Sequence, residues 1–116
     1  MTQEYIGIQQ GTAWSAPNDG ELGYCVKGAD GNVRWWDKAT FEFTFISLGN
    51  ISHLPPDQQS VLGERAALAV KLTAYTGFMK SPAFEAVPAH EQQRLKIQVD
   101  AMNIYHDVLM DRIAAF

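Results

Sequence analysis

Two arginines and a tyrosine in the C-terminal half of the chain have the residue types and spacing needed to bind an anion. Arg65 lies on a seven-residue line that continues to Leu72, and Arg112 follows Tyr105 by seven residues. On a helix, this spacing puts both members of each pair on one face. Guanidinium groups bind phosphate through charge-assisted hydrogen bonds, and an aromatic ring gives a base a surface to stack on. The pattern therefore indicates a ligand anion held by the arginines, with Tyr105 or Phe84 beside a base.

A salt bridge between helices is the alternative role for the two arginines. Glu64, Glu85 and Asp111 are acidic residues that either arginine could meet across a helix pair. Buried arginines usually have a carboxylate partner, because an unpaired buried charge is costly. The sequence supports the two interpretations equally, so both stay open.

A helical hairpin over residues 55–116, with its turn near Ser81–Pro88, would position these side chains. The first helix is predicted to end near Met79, and the second to run from about Ala89 to Ala115. Apolar residues recur every seven positions in the second helix, as a core-facing helix requires: they are Leu95, Met102, Leu109 and Phe116. Gln98, Tyr105 and Arg112 follow the same spacing beside them. Polar groups next to a core are costly without partners, so we expect polar pockets where helices or subunits meet.

The N-terminal half has the pattern of a small antiparallel sheet. Gly23–Lys27 and Asn32–Trp36 flank an Asp-Gly pair, which is a strong hairpin signal. Tyr5–Ile8 and Ala13–Trp14 are further candidate strands. Asp37 can cap a short helix over residues 38–45. Trp35 and Trp36 are adjacent on a strand and must point to opposite faces, so one is expected in the core and the other exposed, at an interface or stacked on a planar group.

These elements predict an α+β fold with a small N-terminal antiparallel β-sheet, a short helix and a C-terminal helical hairpin. We expect residues 1–50 to form the β unit and residues 51–116 the hairpin, within one compact domain. A chain of 116 residues buries a modest core, so a homo-oligomer would add stability.

Composition excludes several classes of partner and compartment. A formal net charge of −4 argues against a nucleic acid polymer, whose binding requires many phosphate contacts. No apolar stretch approaches the ~20 residues that span a membrane. The first residues lack a secretory signal pattern, and Cys25 is the single cysteine, so we expect a reducing, cytoplasmic location.

No enzyme is expected from the sequence. His53, His90 and His106 are too scattered for a metal site. The acidic residues of the second predicted helix fit its solvated side better than a general acid–base pair. No nucleophile motif or phosphate-binding glycine loop is present, so we expect neither catalytic residues nor a metal or cofactor.

Two parts of the chain resemble known phage proteins. The first half is similar to a small β unit found in many tailed-phage and prophage proteins, although Trp36 and Asp37 replace the usual Ser-Pro; the matching residues are Gly23, Tyr24, Val26, Asp30, Gly31, Trp35, Lys38, Phe41 and Glu42. The second half resembles the hairpin of phage "sponges", which sequester cyclic nucleotides made by bacterial immune systems; the matching residues are Glu64, Leu72, Phe78, Met79, Phe84, Glu85, Gln98, Met102, Tyr105, Leu109, Arg112 and Ile113. The hairpin alone is similar to the anti-CBASS sponge. A β unit joined to it resembles the type 1 Thoeris anti-defence sponge.

The resemblance implies a hexamer that binds glycocyclic ADP-ribose, or cyclic di- or trinucleotides, without cleaving them in the cytoplasm of an infected bacterium. Phe84 and Glu85 match the family's aromatic–acid pair at the helical turn, and Arg112 matches its phosphate-contacting arginine. Arg94 and Asn103 lie near where a further polar contact is expected. The family often has a basic residue where this chain has Ala74.

Two other functions remain open on the sequence. An oligomer that docks on a host or phage protein, with no small-molecule ligand, would explain the seven-residue apolar lines equally well. An enzyme that degrades the same signals would need a base and a metal site, which the sequence does not offer.

Overall fold

The computed structural model describes residues 2–116, and the chain divides after Phe45 into two compact units. The N-terminal unit contains a three-stranded antiparallel sheet in the order β1 (Thr12–Ser15), β2 (Gly23–Lys27) and β3 (Val33–Asp37). The C-terminal unit, Ile46–Phe116, is helical. The predicted α+β fold class is confirmed.

The turn between β2 and β3 is the predicted Asp-Gly hairpin. Gly31 has a φ of 81°, a conformation that glycine adopts without strain. The Asp30 carboxylate accepts a hydrogen bond of 3.0 Å from the Asn32 backbone N–H. This bond is the largest influence on Asp30, and it lowers the pKa of the carboxyl group.

Each face of the sheet carries one of the adjacent tryptophans. Trp36 pairs with Tyr24 in the register and meets the ring of Phe45 edge-on at 5.2 Å. Trp35 points to the other face, where its Nε1–H donates to the Ala16 carbonyl at 2.8 Å. Both side chains are half-buried, so each contributes to packing on its own face.

A short helix, α1 (Lys38–Thr44), follows the sheet and covers the face that carries Trp36. Asp37 caps it as predicted, because its side chain accepts the Thr40 backbone N–H at 3.0 Å. Hydrogen bonds from Thr40, first from its hydroxyl and then from its backbone N–H, lower the pKa of Asp37. Phe41 stacks on Tyr24 with ring centroids 4.1 Å apart.

The predicted strand at Tyr5–Ile8 is wrong. Residues 2–11 form no strand, and Tyr5, Ile6 and Ile8 are 86%, 93% and 97% exposed. The apolar alternation resembles a strand, but a strand forms only where a neighbour satisfies its backbone hydrogen bonds. Ala13–Trp14, by contrast, does form part of β1.

The C-terminal unit contains α2 (Pro56–Met79), α3 (Pro82–Glu85) and α4 (Ala89–Ala114). The two long helices were predicted within a residue or two of their ends. α3 is a single helical turn inside the segment predicted as the turn of the hairpin, and it begins with a proline. Within residues 2–116, no helix combines the length and apolar character needed to cross a membrane.

Leu109 is the centre of the hairpin core and has 0% of its surface exposed. The same spacing of seven and then four residues appears on both helices of the seam. From α2, Val61, Leu68 and Leu72 meet Met102, Leu109 and Ile113 of α4. Because the apolar residues recur at the same spacing on both helices, burying them fixes the rotation of each helix about its axis.

Candidate functional site

The outer surface of α4 presents Tyr105 and Arg112 together. Both side chains are exposed, and Tyr105 retains 42% of its surface. Seven residues correspond to nearly two helical turns, so the two lie on one face about 10.5 Å apart along the axis. Val108 lies between them on the same side of the helix, and Ala101 lies one turn before Tyr105, so both provide a small, apolar floor.

The guanidinium groups of Arg112 and Arg65 have no ion-pair or hydrogen-bond partner among residues 2–116. Across residues 2–116, the ion pairs join Arg34 to Asp30 and Arg94 to Glu91, and neither Arg65 nor Arg112 makes a side-chain hydrogen bond. The interhelical salt bridge considered for both arginines is therefore not formed within one copy. Arg112 also stands in the last turn of α4, where a cation is favourable near the helix dipole.

Arg65 has a different setting from Arg112. It is half-buried on the side of α2 that carries Val61, Leu68 and Leu72, so its stem covers part of the seam. The Arg65 guanidinium group would therefore have to form its hydrogen bonds with solvent or with a group from outside the chain.

The turn between α2 and α4 holds Phe84 and Glu85. Phe84 is only 8% exposed; its ring meets Phe78 edge-on at 5.9 Å, and the Lys96 Nζ lies 5.9 Å from its centroid. Glu85, the last residue of α3, is exposed. Within one chain the Phe84 ring therefore packs the turn and has little surface left for stacking on a ligand.

Gln92 and Lys96 complete this turn, and the sequence interpretation did not include them. The Gln92 amide donates to the carbonyl oxygens of Phe84 at 3.0 Å and of Val87 at 2.8 Å, which fixes α3 against the start of α4. Their spacing of four residues, which places both side chains on one face of the first turns of α4, is the sequence feature that could have identified them.

The seven predicted site residues do not form one cluster in a single chain. Lys96 lies next to the Phe84 ring. The rise per residue of a helix places Lys96 about 24 Å from Arg112 along the axis of α4. One small ligand cannot touch both ends of the hairpin in the same copy. The structure brings together Tyr105 with Arg112, and separately Phe84 with Glu85.

The other two predicted residues on α4 stand apart. Arg94 shares a side of the helix with Arg112 but lies about 27 Å away, and it pairs with Glu91 at 3.0 Å. Asn103 is exposed but points in nearly the opposite direction from Arg112, because nine residues make two and a half turns.

The outer side of α2 offers an apolar depression without a cation. Its lining is Ala69, Val70, Thr73 and Ala74. Ala74 therefore supplies no phosphate contact here. Within residues 2–116, the His, Cys, Asp and Glu side chains form no group of three or more that could hold a metal ion.

These features define a helical-hairpin protein that carries an exposed tyrosine–arginine face at one end and a tightly packed aromatic turn at the other. The family model named Sequestin matches residues 55–115, which is just over half of the chain and includes α2, α3 and α4. The chain belongs to the Sequestin family. Searches of curated proteins and of solved structures give no significant match.

Proposed function

We propose that this protein is a phage or prophage counter-defence protein that sequesters cyclic nucleotide immune signals. The ligands would be glycocyclic ADP-ribose, cyclic dinucleotides or cyclic trinucleotides. Membership in a family whose name denotes sequestration supports a binding role. The protein would act by stoichiometry, because each ligand held in a site lowers the free signal concentration inside the infected cell.

The observation that carries the proposal is the free guanidinium of Arg112 on the same helix face as the exposed ring of Tyr105, about 10.5 Å further along the axis. A cyclic nucleotide offers a phosphate and a base, and this face offers one group suited to each. The absence of a salt-bridge partner for Arg112 among residues 2–116 leaves its donors available for an anion.

A complete site would need more than one copy of the chain. Phe84 and Arg112 lie at opposite ends of the hairpin, so a ligand that used both would bridge two subunits. We therefore propose a homo-oligomer, with a hexamer as the form that the sequence resemblance implies. Ligands enclosed at subunit interfaces would be held tightly, because a preformed site loses little entropy on binding.

The proposed mechanism is binding without chemical change. Hydrolysis of a phosphodiester is helped by a positioned base or a metal-activated water. The Tyr105–Arg112 face supplies a cation and a ring, which suit recognition of the ligand. The protein would work in the cytoplasm of the infected host, where the signals are made.

A thermal-shift screen with the three ligand classes tests this proposal. A ligand that binds only the folded state adds about 2.7 kcal/mol of stability at a hundredfold excess over its dissociation constant. Arg112→Ala should weaken binding of at least one class roughly 10- to 100-fold, as expected for lost charge-assisted hydrogen bonds. Arg34→Ala is the control, since it removes the same charge from the N-terminal unit.

The rival function is an oligomer that docks on a host or phage protein without a small-molecule ligand. The exposed apolar residues of α4 favour it as a second candidate, because they form a surface on which another protein could pack. It predicts no shift with any ligand class, and that result would reject the sponge proposal.

A further inference from the structure

The Trp35 ring lies against its own sheet, and Gly23 makes this possible. Gly23 is buried beneath the ring, and a Cβ at this position would overlap the ring atoms Cζ2 and Cε2 of Trp35. The hydrogen bond from the Trp35 Nε1–H to the Ala16 carbonyl, at 2.8 Å, holds the ring at its far edge. The indole therefore reaches across β2 to the chain just after β1, and its orientation is fixed.

The outer side of this ring faces an open surface. α1 packs on the opposite face of the sheet, through the stacking of Phe41 on Tyr24. Trp14 and Val33 share the face of Trp35 in the strand register, and they are 45% and 51% exposed. We call the exposed aromatic surface of Trp14 and Trp35 the Trp35 platform. Because its central ring is already fixed, a group that stacks on it would lose little binding energy to ordering the side chain.

The turn that joins β1 to β2 places carboxylates beside the Trp35 platform. Asn18 and Glu21 form a bridge in the same register as the two strands, so their side chains lie on the face of Trp35. Glu21 is two residues from Gly23, which corresponds to about 7 Å along a strand. Asp19 is at the tip of the turn, with a φ of 50°. Among the described residues, neither carboxylate belongs to an ion pair.

The charge of the N-terminal unit indicates which ligands this surface would attract. Residues 2–45 carry six acidic and three basic side chains, so most of the chain's net charge of −4 lies here. This excess of negative charge repels phosphates and attracts cations. A guanidinium group suits the surface in two ways, because it can stack on an indole and donate hydrogen bonds to a carboxylate at the same time.

We propose that the Trp35 platform and Glu21 bind an arginine side chain on an extended segment of a partner protein. The guanidinium stacks on the outer side of the Trp35 ring and donates to the Glu21 carboxylate, while Asp19 adds to the attraction. β1 is an edge strand that is exposed along its whole length, so its outward backbone groups can pair with the extended segment. This role gives the N-terminal unit a protein-binding function that is separate from ligand sequestration.

A titration followed by nuclear magnetic resonance tests the proposal with a defined probe. The probe is a short peptide of Gly-Ser-Arg repeats, and the matched peptide has citrulline, which keeps the shape of arginine without its charge. The indole N–H signal of Trp35 should shift saturably with the arginine peptide at low salt and stay in place with the citrulline peptide. No saturable shift, or an equal shift with both peptides, would overturn the proposal. A larger shift with adenosine than with the arginine peptide would also overturn it, in favour of a base-stacking site.

Two glutamate variants test where the charge must lie. Glu21→Gln removes the carboxylate beside the Trp35 platform and should weaken peptide binding about two- to fivefold, as expected for an exposed ion pair. Glu42→Gln is the control, because it removes the same charge from an exposed position on α1, which packs on the other face of the sheet. Equal losses from the two variants would mean that only net charge matters, and would overturn the site. These measurements contain no cyclic nucleotide, so their failure would leave the sponge proposal to be judged by the thermal-shift screen alone.

Discussion

Leu109→Ala is the substitution that tests most directly how the hairpin is held together. Leu109 has no exposed surface and touches core residues of both long helices. Truncating a fully buried leucine removes its transfer free energy and leaves a cavity, at a cost of 2.7–5.0 kcal/mol in a well-packed core. The two helices are long and joined by a tight turn, which limits collapse into the cavity. We expect a loss of about 3–4 kcal/mol.

That loss would be a large share of the total stability of the helical unit. A unit of about 70 residues has a free energy of unfolding of roughly 4–11 kcal/mol. Urea unfolding followed by circular dichroism at 222 nm should therefore show a midpoint lowered by about 2 M or more. The protein concentration must be the same for every variant, because association adds to apparent stability.

Met110→Ala supplies the matched control for this experiment. Met110 adjoins Leu109 in the chain but is 45% exposed, so its truncation should cost less than about 1 kcal/mol. If Leu109→Ala loses no more stability than Met110→Ala, the seam described between α2 and α4 is not the core of this unit.

Three further changes test other parts of the fold. Gly23→Ala would drive its Cβ into the Trp35 ring, so we expect a loss of about 1–3 kcal/mol in the free energy of unfolding followed by tryptophan fluorescence, against no change for Gly7→Ala. Gln92→Ala should destabilise the turn by about 1–3 kcal/mol in urea unfolding, with Gln93→Ala near neutral. The lowered pKa of Asp37 contributes stability that is present above its unfolded pKa and lost as pH falls through the folded value. Asp37→Asn should therefore reduce the dependence of the N-terminal unit's melting temperature on pH below about pH 4.

The long helices and the β-hairpin could be predicted because their signals are local. The seven-residue spacing identified Leu109 and Met102 as core positions, and the Asp-Gly pair identified the turn after β2. The Tyr5–Ile8 segment shows the limit of this reasoning. Its alternation is also local, but a strand needs a partner that the pattern cannot supply.

The candidate site was only partly accessible from the sequence. Spacing correctly placed Tyr105 and Arg112 on one face of a helix. It could not show that Phe84 and Arg112 lie at opposite ends of the hairpin, because residue types do not report distance across a fold. The role of Gln92 was missed for the same reason, since its partners are backbone carbonyls of a turn.

Recovery of an intact ligand tests the central claim most directly. The purified protein would be saturated with the ligand that gives the largest thermal shift, freed of excess by gel filtration, and denatured. The released compound would then be identified and counted by liquid chromatography and mass spectrometry. The sponge account predicts the unaltered cyclic nucleotide in a fixed ratio to protein, with little retained by Arg112→Ala. Linear or hydrolysed product, or no retained ligand, would contradict it.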